Sequence, residues 1–480
     1  MSERHYIGGT WVAGQDHQPD VNPSDTRDSV GLFPSGGAAE VDAAVAAATA
    51  AAPLWARSNI QQRHDMLRRI ADGIAAAATE IGTILAREEG KPLAEAVAEV
   101  QRASQIFGFF AGECLRQTGD RLASIRDGVD IEVTREPVGV VGIITPWNFP
   151  IAIPAWKIAP ALAYGNAVLF KPADLTPATA LSLARIIDQA GVPPGIFNMI
   201  FGKGRVVGNA ILSHPGVDAI SFTGSVNVGR TIAAACVASS PMKKFQLEMG
   251  GKNPFVILDD ADLDLAVSIA VNAAYMSTGQ RCTAPERFIV TNAIHDRFVA
   301  QLIERLRHLK VGHALGSDTF VGPVVSQAQL DSNLAYVQRG CDEGATLAFG
   351  GHRVACDTPG FYMAPTLFTD ATNDMAIARE EIFGPVACVI RAKDYAYALA
   401  LANDTSFGLT AGICTASLKY AADFKRNSRA GMVMVNLPTA GVDYHVPFGG
   451  RGSSSFGPRE QGRYAAEFYT SVKTAYVDSG

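Results

Sequence analysis

The stretch VGVVGIITPWNFP, residues 138–150, decides which class of fold this chain adopts. It opens with a continuous apolar run of strand length, and TPWNFP then predicts a turn that holds two prolines. Downstream, similar apolar runs alternate with helical patterns as far as residue 258. Such alternation predicts a parallel sheet covered by helices on both faces. The further strands are predicted at 166–171, 197–201, 219–222 and 253–258, and the helices near 153–163, 177–190, 204–212 and 226–238.

On either side of this region the sequence predicts further regular structure. Residues 1–37 are typical of short strands and turns. Three helical patterns then follow, at about 38–55, 60–88 and 92–117. Residues 259–432 repeat the alternation of strands and helices, which predicts a second α/β domain.

Residues 121–135, RLASIRDGVDIEVTR, have the pattern of a β-hairpin. Two alternating segments flank Asp127 and Gly128, a pair of residues that favours a tight turn. A ribbon of two strands is only marginally stable by itself. We therefore expect it to pair with another strand, either FYTSVKTAYV at 468–477 or a segment of a neighbouring subunit.

The composition excludes several classes of function. The chain has 480 residues, of which 48% are hydrophobic and 18% charged, and its net charge of −6 gives no attraction for nucleic acid or anionic membrane. Apolar runs are too short to span a bilayer, and the N-terminus lacks a signal-peptide core, which predicts a soluble, cytoplasmic protein. The seven cysteines form no CxxC pair and the nine histidines are dispersed, so neither a disulfide framework nor a metal site is expected.

The segment GQRCTAPERF, residues 279–288, contains the candidate nucleophile Cys282. Gly279 and Gln280 interrupt an apolar helical pattern, which places Cys282 on a turn where side chains meet ligands. Arg281 is a permanent cation beside the thiol and would favour its thiolate form. The alternative for an isolated cysteine is a buried, unreactive side chain.

Two polar motifs follow the first two predicted strands, where a parallel sheet binds its ligands. Asn148 lies between two prolines and its amide can donate to a developing oxyanion, although it can equally cap the turn. Lys171 and Asp174 of KPAD can contact ribose hydroxyls, and the carboxylate would repel a 2′-phosphate, which favours NAD over NADP. Their alternative is a solvated charge pair.

Three further motifs supply acids and a glycine turn. In FTGSVNVG, Gly224 and Ser225 stand at a helix start, where free N–H groups suit a pyrophosphate, but the motif is not the GxGxxG fingerprint. Glu248 of LEMGGKNP ends a strand-like segment and can act as a general base or be a surface acid. EEIFGP adds Glu381 and, as an apolar platform, Phe383.

Taken together, these motifs resemble one known family. PWNFP, KPAD, FTGS, LEMGGKNP, GQRC, EEIFGP and PFGG at 447–450 occur in the order and spacing of the aldehyde dehydrogenase superfamily. The likeness runs from about Tyr6 to the C-terminus. The last third of the chain is most similar to the α-ketoglutarate semialdehyde (2,5-dioxopentanoate) dehydrogenases, although RGSSSFG at 451–457 lacks the usual lysine after the paired glycines.

The resemblance implies an α/β fold with three parts. A Rossmann-type NAD(P)-binding domain would comprise residues 1–118 and 138–249, and an α/β catalytic domain residues 250–432. A small β oligomerisation domain would comprise 119–137 and 433–480. The family builds dimers or tetramers with such a hairpin, so a homodimer or homotetramer is expected.

The resemblance also implies roles for the candidate residues. Cys282 would attack the aldehyde carbon, the Asn148 amide and the Cys282 N–H would hold the oxyanion, and Glu248 would activate the water that hydrolyses the thioester. The cofactor would be NAD, with NADP as the alternative because Asp174 is shorter than the glutamate often found there. Its binding residues would be Thr145, Pro146, Trp147, Lys171, Asp174, Gly224, Ser225, Glu381 and Phe383.

The resemblance also bears on which aldehyde is the substrate. The substrate would be a small semialdehyde, with 2,5-dioxopentanoate as the primary hypothesis. Broad-specificity oxidation of aliphatic or aromatic aldehydes, and a catalytically silent protein on the same fold, are the alternatives. Succinate semialdehyde dehydrogenases carry arginine at the positions of Trp156 and Met276, which counts against that substrate. The substrate contacts would be Phe149, Ile153, Trp156, Arg281 and Thr283.

Overall fold

A computed structural model of the chain describes residues 3–478 and contains three main sheets with helices packed between and around them. The strands are β1 (Arg4–Ile7), β2 (Thr10–Ala13), β3 (Gln15–Val21), β4 (Ser29–Ser35), β5 (Asp120–Ala123), β6 (Val129–Pro137), β7 (Val140–Ile144), β8 (Ala167–Lys171), β9 (Phe197–Met199), β10 (Ala219–Thr223), β11 (Lys244–Glu248), β12 (Asn253–Ile257), β13 (Pro285–Thr291), β14 (Thr346–Phe349), β15 (Thr366–Thr369), β16 (Val386–Ala392), β17 (Thr410–Cys414), β18 (Met432–Val435), β19 (Ser455–Phe456) and β20 (Thr470–Asp478).

The helices lie between these strands in the alternation that the sequence predicts. They are α1 (Ala38–Ala56), α2 (Ile60–Ala76), α3 (Ala78–Glu89), α4 (Leu93–Cys114), α5 (Ala152–Ala163), α6 (Pro177–Gln189), α7 (Asn209–Ser213), α8 (Val226–Ala238), α9 (Leu263–Tyr275), α10 (Asn292–Arg307), α11 (Gln327–Asp342), α12 (Ala376–Arg379), α13 (Tyr395–Asn403), α14 (Leu418–Asn427) and α15 (Ala466–Tyr469). Within residues 3–478, no helix is both long and apolar enough to cross a membrane.

The first sheet has the strand order β19-β11-β10-β7-β8-β9-β1-β2. Its five central strands are parallel, as predicted for apolar runs separated by helices, and the flanking strands β19, β1 and β2 pair antiparallel. The helix α5 crosses this sheet and is buried along its whole length. Most of its residues are apolar, as is typical of a buried helix, and its one charged residue, Lys157, is paired with Glu460.

The second sheet has the order β14-β15-β16-β13-β12-β17-β18, and only β14 runs antiparallel to its neighbour. The strand predicted at 253–258 belongs here, as β12, and does not continue the first sheet. The chain changes sheets at Gly250 and Gly251, directly after β11. The sequence alternates in the same way on both sides of this turn, so periodicity could not reveal the change.

One predicted helix is wrong in its extent. The pattern at 60–88 forms two helices, α2 and α3, with a break at Ala77, whose ψ of 9° leaves the helical region. No glycine or proline stands at Ala77 to mark the break, and the alanines on either side favour a helix. The local pattern therefore predicts one continuous helix. Both α2 and α3 pack on α4.

The third sheet is β20-β6-β5, and it confirms that the hairpin pairs with the C-terminal strand. The ladder runs from Thr470 opposite Pro137 to Asp478 opposite Val129. The segment 433–480 is more dispersed than one small domain, because it also contributes to β18 of the second sheet and supplies β19 of the first. Residues 1–2 and 479–480 of the predicted domains lie outside the described residues.

Candidate active site

The carboxyl ends of the first sheet bring several candidate residues to one edge. Ile144 at the end of β7 lies opposite Lys171 at the end of β8, and Thr223 at the end of β10 lies opposite Glu248 at the end of β11. The parallel register therefore places the PWNFP, KPAD, FTGS and LEMGG motifs side by side, although they are far apart in the chain. The crevice beyond such ends is where doubly wound sheets bind ligands.

Cys282 lies on the turn between α9 and β13, as the sequence predicts. Ser277, Thr278 and Gly279 have positive φ angles of 50°, 56° and 70° and reverse the chain. A Cβ on Gly279 would lie 2.2 Å from the carbonyl oxygen of Gly384, so this position requires glycine. The Asn253 amide donates to the carbonyl oxygen of Cys282 at 2.7 Å and holds the nucleophile's backbone.

The surroundings of Cys282 raise the pKa of its thiol. Burial is the largest cause, followed by the negative charges of Glu381 and Glu248, while the N–H groups of Cys282 and Thr283 act in the opposite direction. The thiol side chain keeps partial exposure to solvent. A thiol whose pKa is raised ionises less readily than a free cysteine.

Arg281, which was predicted to favour the thiolate, is paired with a carboxylate and is not among the groups that shift the pKa of the Cys282 thiol. Its Nη2 donates to Glu95 Oε2 at 2.8 Å, and both side chains are close to buried. Glu95 also accepts a hydrogen bond from the Ser277 hydroxyl at 2.6 Å. Arg281 keeps its positive charge, but the Glu95 carboxylate at contact distance offsets the effect of that charge on the Cys282 thiol.

Asn148 is hydrogen-bonded to the turn that precedes Cys282. Its side-chain Nδ2 donates to the carbonyl oxygen of Gln280 at 3.0 Å, and its backbone carbonyl oxygen accepts from Lys91 Nζ at 2.6 Å. Asn148 is buried. An amide group carries two N–H donors, so one remains for a ligand after the bond to Gln280.

Glu248 is a buried carboxyl at the other side of the site. Its Oε2 accepts a hydrogen bond of 2.6 Å from the Ser455 hydroxyl, which in turn accepts from the N–H of Gly450. Burial raises the pKa of Glu248 well above its ordinary value, the charge of Glu460 adds to this, and the Ser455 hydrogen bond opposes it. A carboxyl with a raised pKa is a stronger base near neutral pH.

The residues predicted to hold a cofactor fit a dinucleotide. Ser225 caps α8, accepting from the N–H of Val228 at 3.4 Å, and Thr223 Oγ1 beside it is buried without a partner among the described residues. Lys171 Nζ binds Asp174 at 2.6 Å, with the lysine nearly buried and the aspartate partly exposed. A helix N-terminus and a lysine at adjacent strand ends suit pyrophosphate and ribose oxygens.

Further along the same crevice lie two aromatic rings and an acid. Trp147 and Phe383 meet edge to face with centroids 5.4 Å apart, and Phe383 has a positive φ of 60°. Glu381 accepts from the N–H of Gly251 at 2.9 Å, and burial raises its pKa to about 8. Pro146 and Thr145 continue the turn after β7. In the described part of the chain, no His, Cys, Asp and Glu side chains group as a metal site would need.

A cavity of about 250 Å³ is lined by Cys282 and by none of the predicted cofactor residues. One wall is aromatic, with the rings of Trp156 and Phe448 stacked at 5.4 Å, and Phe149 lies under the ammonium group of Lys91 at 4.1 Å. The remaining lining residues are Glu95, Ala98, Glu99, Arg102, Ala152, Met276, Ser277, Arg281, Thr283, Ala440, Gly441, Val442 and Gln461.

The cavity contains four of the five predicted substrate residues. Ile153 is the exception, because it packs in the core of the first sheet with 1% exposure, while Ala152 beside it on α5 faces the cavity. Sequence reasoning missed the charged face of α4, formed by Glu95, Glu99 and Arg102. The signal was present, since charges at i, i+4 and i+7 share one face of a helix that is otherwise rich in alanine.

Comparison with known proteins identifies a family and close relatives. The aldehyde dehydrogenase family matches residues 11–475. Alpha-ketoglutaric semialdehyde dehydrogenase of Bacillus subtilis is 42% identical over 477 residues, covering 98% of this chain and 97% of the relative. Alpha-ketoglutarate semialdehyde dehydrogenase of Haloferax volcanii is 41% identical, covering 98% of both chains.

A solved structure shares the whole architecture. Betaine aldehyde dehydrogenase from Staphylococcus aureus, in complex with NAD+, superposes with a TM-score of 0.97 at 33% identity and covers 100% of this chain and 96% of its own. The fold is therefore that of the aldehyde dehydrogenases, as the motifs predict.

Proposed function

This chain is a member of the aldehyde dehydrogenase family, and from that membership we propose that it oxidises 2,5-dioxopentanoate to 2-oxoglutarate with NAD(P)+. The observation that carries the reaction type is that Cys282 lines a cavity, with the Asn148 amide bonded to the carbonyl of Gln280 just before it and the Glu248 carboxyl close enough for its charge to act on the thiol. The identity of the aldehyde is supported by the two relatives named for α-ketoglutarate semialdehyde, each matched over almost its full length.

The first step is the addition of Cys282 to the aldehyde. The sulfur forms a bond to the carbonyl carbon, the thiol proton leaves to solvent or to a neighbouring carboxylate, and the carbonyl oxygen becomes an oxyanion. The free N–H of the Asn148 amide and the Cys282 N–H donate to this oxygen. One such donor lowers the barrier by about 3–4 kcal/mol.

NAD(P)+, when bound, would supply the hydride acceptor that oxidation of the thiohemiacetal on Cys282 to a thioester requires. The residues that fit the cofactor are the crevice residues after β7, β8 and β10, together with Glu381 and Phe383. Lys171 and Glu381 would hold ribose hydroxyls, and Ser225 with Gly224 would hold the pyrophosphate at the start of α8. Asp174 favours NAD, and NADP is the alternative.

The second half of the reaction is hydrolysis of the thioester. Glu248 takes a proton from water, water adds to the acyl carbon, and the carbon–sulfur bond breaks to release the acid and restore the thiol. Family members that transfer the acyl group to coenzyme A generally lack this base. The presence of Glu248 therefore favours a free carboxylic acid as product.

We also propose a separate role for each part of the chain. The first sheet and its helices bind the cofactor, the second sheet carries Cys282, and the hairpin with β20 joins subunits of a homodimer or homotetramer. The outer residues Val472, Tyr476 and Val477 of β20 are exposed apolar side chains, which is typical of a surface that a partner covers.

Steady-state kinetics with a panel of aldehydes test the substrate. The purified protein should oxidise 2,5-dioxopentanoate with NAD+ at a kcat/KM well above those for hexanal and benzaldehyde. Equal or better activity on the uncharged aldehydes would reject the proposed substrate and favour a broad-specificity enzyme, which the aromatic wall of the cavity would suit. The same panel with NADP+ decides the cofactor preference.

A further inference from the structure

The cavity that leads to Cys282 is lined by several charged side chains, and most of them neutralise one another. Lys91 Nζ binds Glu99 at 2.7 Å, and Arg281 binds Glu95 at 2.8 Å. Glu99 also accepts from the N–H groups of Ile151 and Ala152. These two acids are therefore fully engaged by partners inside the protein.

Arg102 is a cation that lines the cavity and belongs to neither of these ion pairs. It lies on α4 on the same face as Glu95 and Glu99 and lines the cavity, yet it makes no ion pair, hydrogen bond or ring contact with any residue between 3 and 478. Its side chain is partly buried, and burial lowers its pKa. A desolvated guanidinium without a partner is costly unless a ligand compensates it.

The acid outside these pairs whose charge acts on Arg102 is Asp443, on the loop after β18. Its charge acts on Arg102 together with that of Glu99, but no hydrogen bond joins either acid to the guanidinium. Asp443 is exposed, so solvent screens its interaction with Arg102. The five donors of the guanidinium remain available to an anion in the cavity.

We propose that Arg102 holds the carboxylate of the substrate while Cys282 attacks the aldehyde at the other end. The proposal rests on the proposed function, because it requires an aldehyde that also carries an acid. It assigns to Arg102 the part that sequence reasoning had considered for Arg281, whose guanidinium is already paired with Glu95. Arg102 is thus a specificity residue that binds substrate and takes no part in bond making.

The test compares the wild type with Arg102→Gln and Arg102→Lys on matched aldehydes. For 2,5-dioxopentanoate and other carboxylated aldehydes, Arg102→Gln should lower kcat/KM about 10- to 100-fold, the effect of losing one charge-assisted hydrogen bond. The loss should fall mainly on KM, and Arg102→Lys should restore part of it. Activity on uncharged aldehydes of similar length should stay within about threefold.

Arg305→Gln is the matched control, since Arg305 is exposed on α10 and the change removes the same charge far from the cavity. Binding of 2-oxoglutarate, measured by calorimetry, should weaken by a similar factor in Arg102→Gln and not in Arg305→Gln. This second readout does not depend on turnover.

The outcomes separate the two proposals. If Arg102→Gln changes neither the kinetics nor the binding of 2-oxoglutarate, the role of Arg102 is overturned. The proposed function then still stands, provided that the wild type prefers 2,5-dioxopentanoate. A wild type that prefers another carboxylated aldehyde, with that preference lost in Arg102→Gln, would reject the substrate and uphold Arg102. A wild type with no preference for any carboxylated aldehyde would overturn both.

Discussion

The hydroxyl of Ser455 donates a hydrogen bond of 2.6 Å to Oε2 of Glu248. Ser455 belongs to β19, which pairs antiparallel with β11 next to Glu248 itself. The segment RGSSSFG, which departs from the usual family pattern, therefore touches the proposed general base. A donor at this position stabilises the ionised carboxylate and so counteracts burial, which favours the neutral acid.

Replacing Ser455 by alanine should move the pH dependence of turnover. The pKa of Glu248 is raised by burial and by Glu460, and the Ser455 hydroxyl lowers it. Without the hydroxyl the pKa rises further, so less carboxylate is present at a given pH and the acidic limb of the kcat profile shifts to higher pH. The matched control is Ser453→Ala in the same loop. A limb that stays in place, or moves to lower pH, would contradict this account.

Replacing Glu248 by glutamine should separate the two halves of the reaction. Addition of Cys282 and hydride transfer do not require the base, so a rapid burst of NADH of about one equivalent per site is expected. Hydrolysis should then slow about 10²- to 10⁴-fold, which is the usual contribution of a general base. Rapid-quench kinetics and intact mass should detect the acyl adduct on Cys282. Loss of the burst as well would show that Glu248 acts before the thioester forms.

Replacing Asn148 by alanine should slow turnover through the oxyanion. The variant removes one donor, and kcat should fall about 10²- to 10³-fold. Because the same amide also bonds to the Gln280 carbonyl, a melting curve must confirm that the turn before Cys282 is intact. Alkylation of Cys282 by iodoacetamide should continue in the variant. Wild-type kcat in Asn148→Ala would remove Asn148 from the oxyanion site.

The rate at which iodoacetamide alkylates Cys282 in the cofactor-free protein should rise with pH beyond about 8.5, the ordinary pKa of a free thiol. Burial and two carboxylates raise the pKa of Cys282, so the thiolate that reacts appears only at higher pH. Glu381→Gln removes one of those negative charges and should move the profile to lower pH. Cys282→Ser identifies the signal among the seven cysteines. A plateau near pH 7 in the wild type would show an activated thiolate and overturn the electrostatic account.

Local patterns predict the elements of this fold better than their assembly. Apolar runs of strand length and the helices between them were visible because each depends on neighbours in the chain. Local patterns could not show that β12 belongs to the second sheet. Its pairing with β13 and β17 depends on the turn at Gly250 and Gly251 and on packing against residues distant in sequence. Ile153 illustrates the same limit, because one step around α5 separates a core side chain from a cavity wall.

The sequence by itself determined the family, the order of the motifs and the candidate nucleophile, because those features are recognised from the identity and order of residues along the chain. Only the tertiary structure decided how charges are shared at the site. Glu95 and Arg281 are 186 residues apart, and their contact leaves Arg102 outside the ion pairs of the cavity among residues 3–478. Ser455 reaches Glu248 across 207 residues. Pairings at such distances follow from how sheets and helices pack, and no local pattern encodes them.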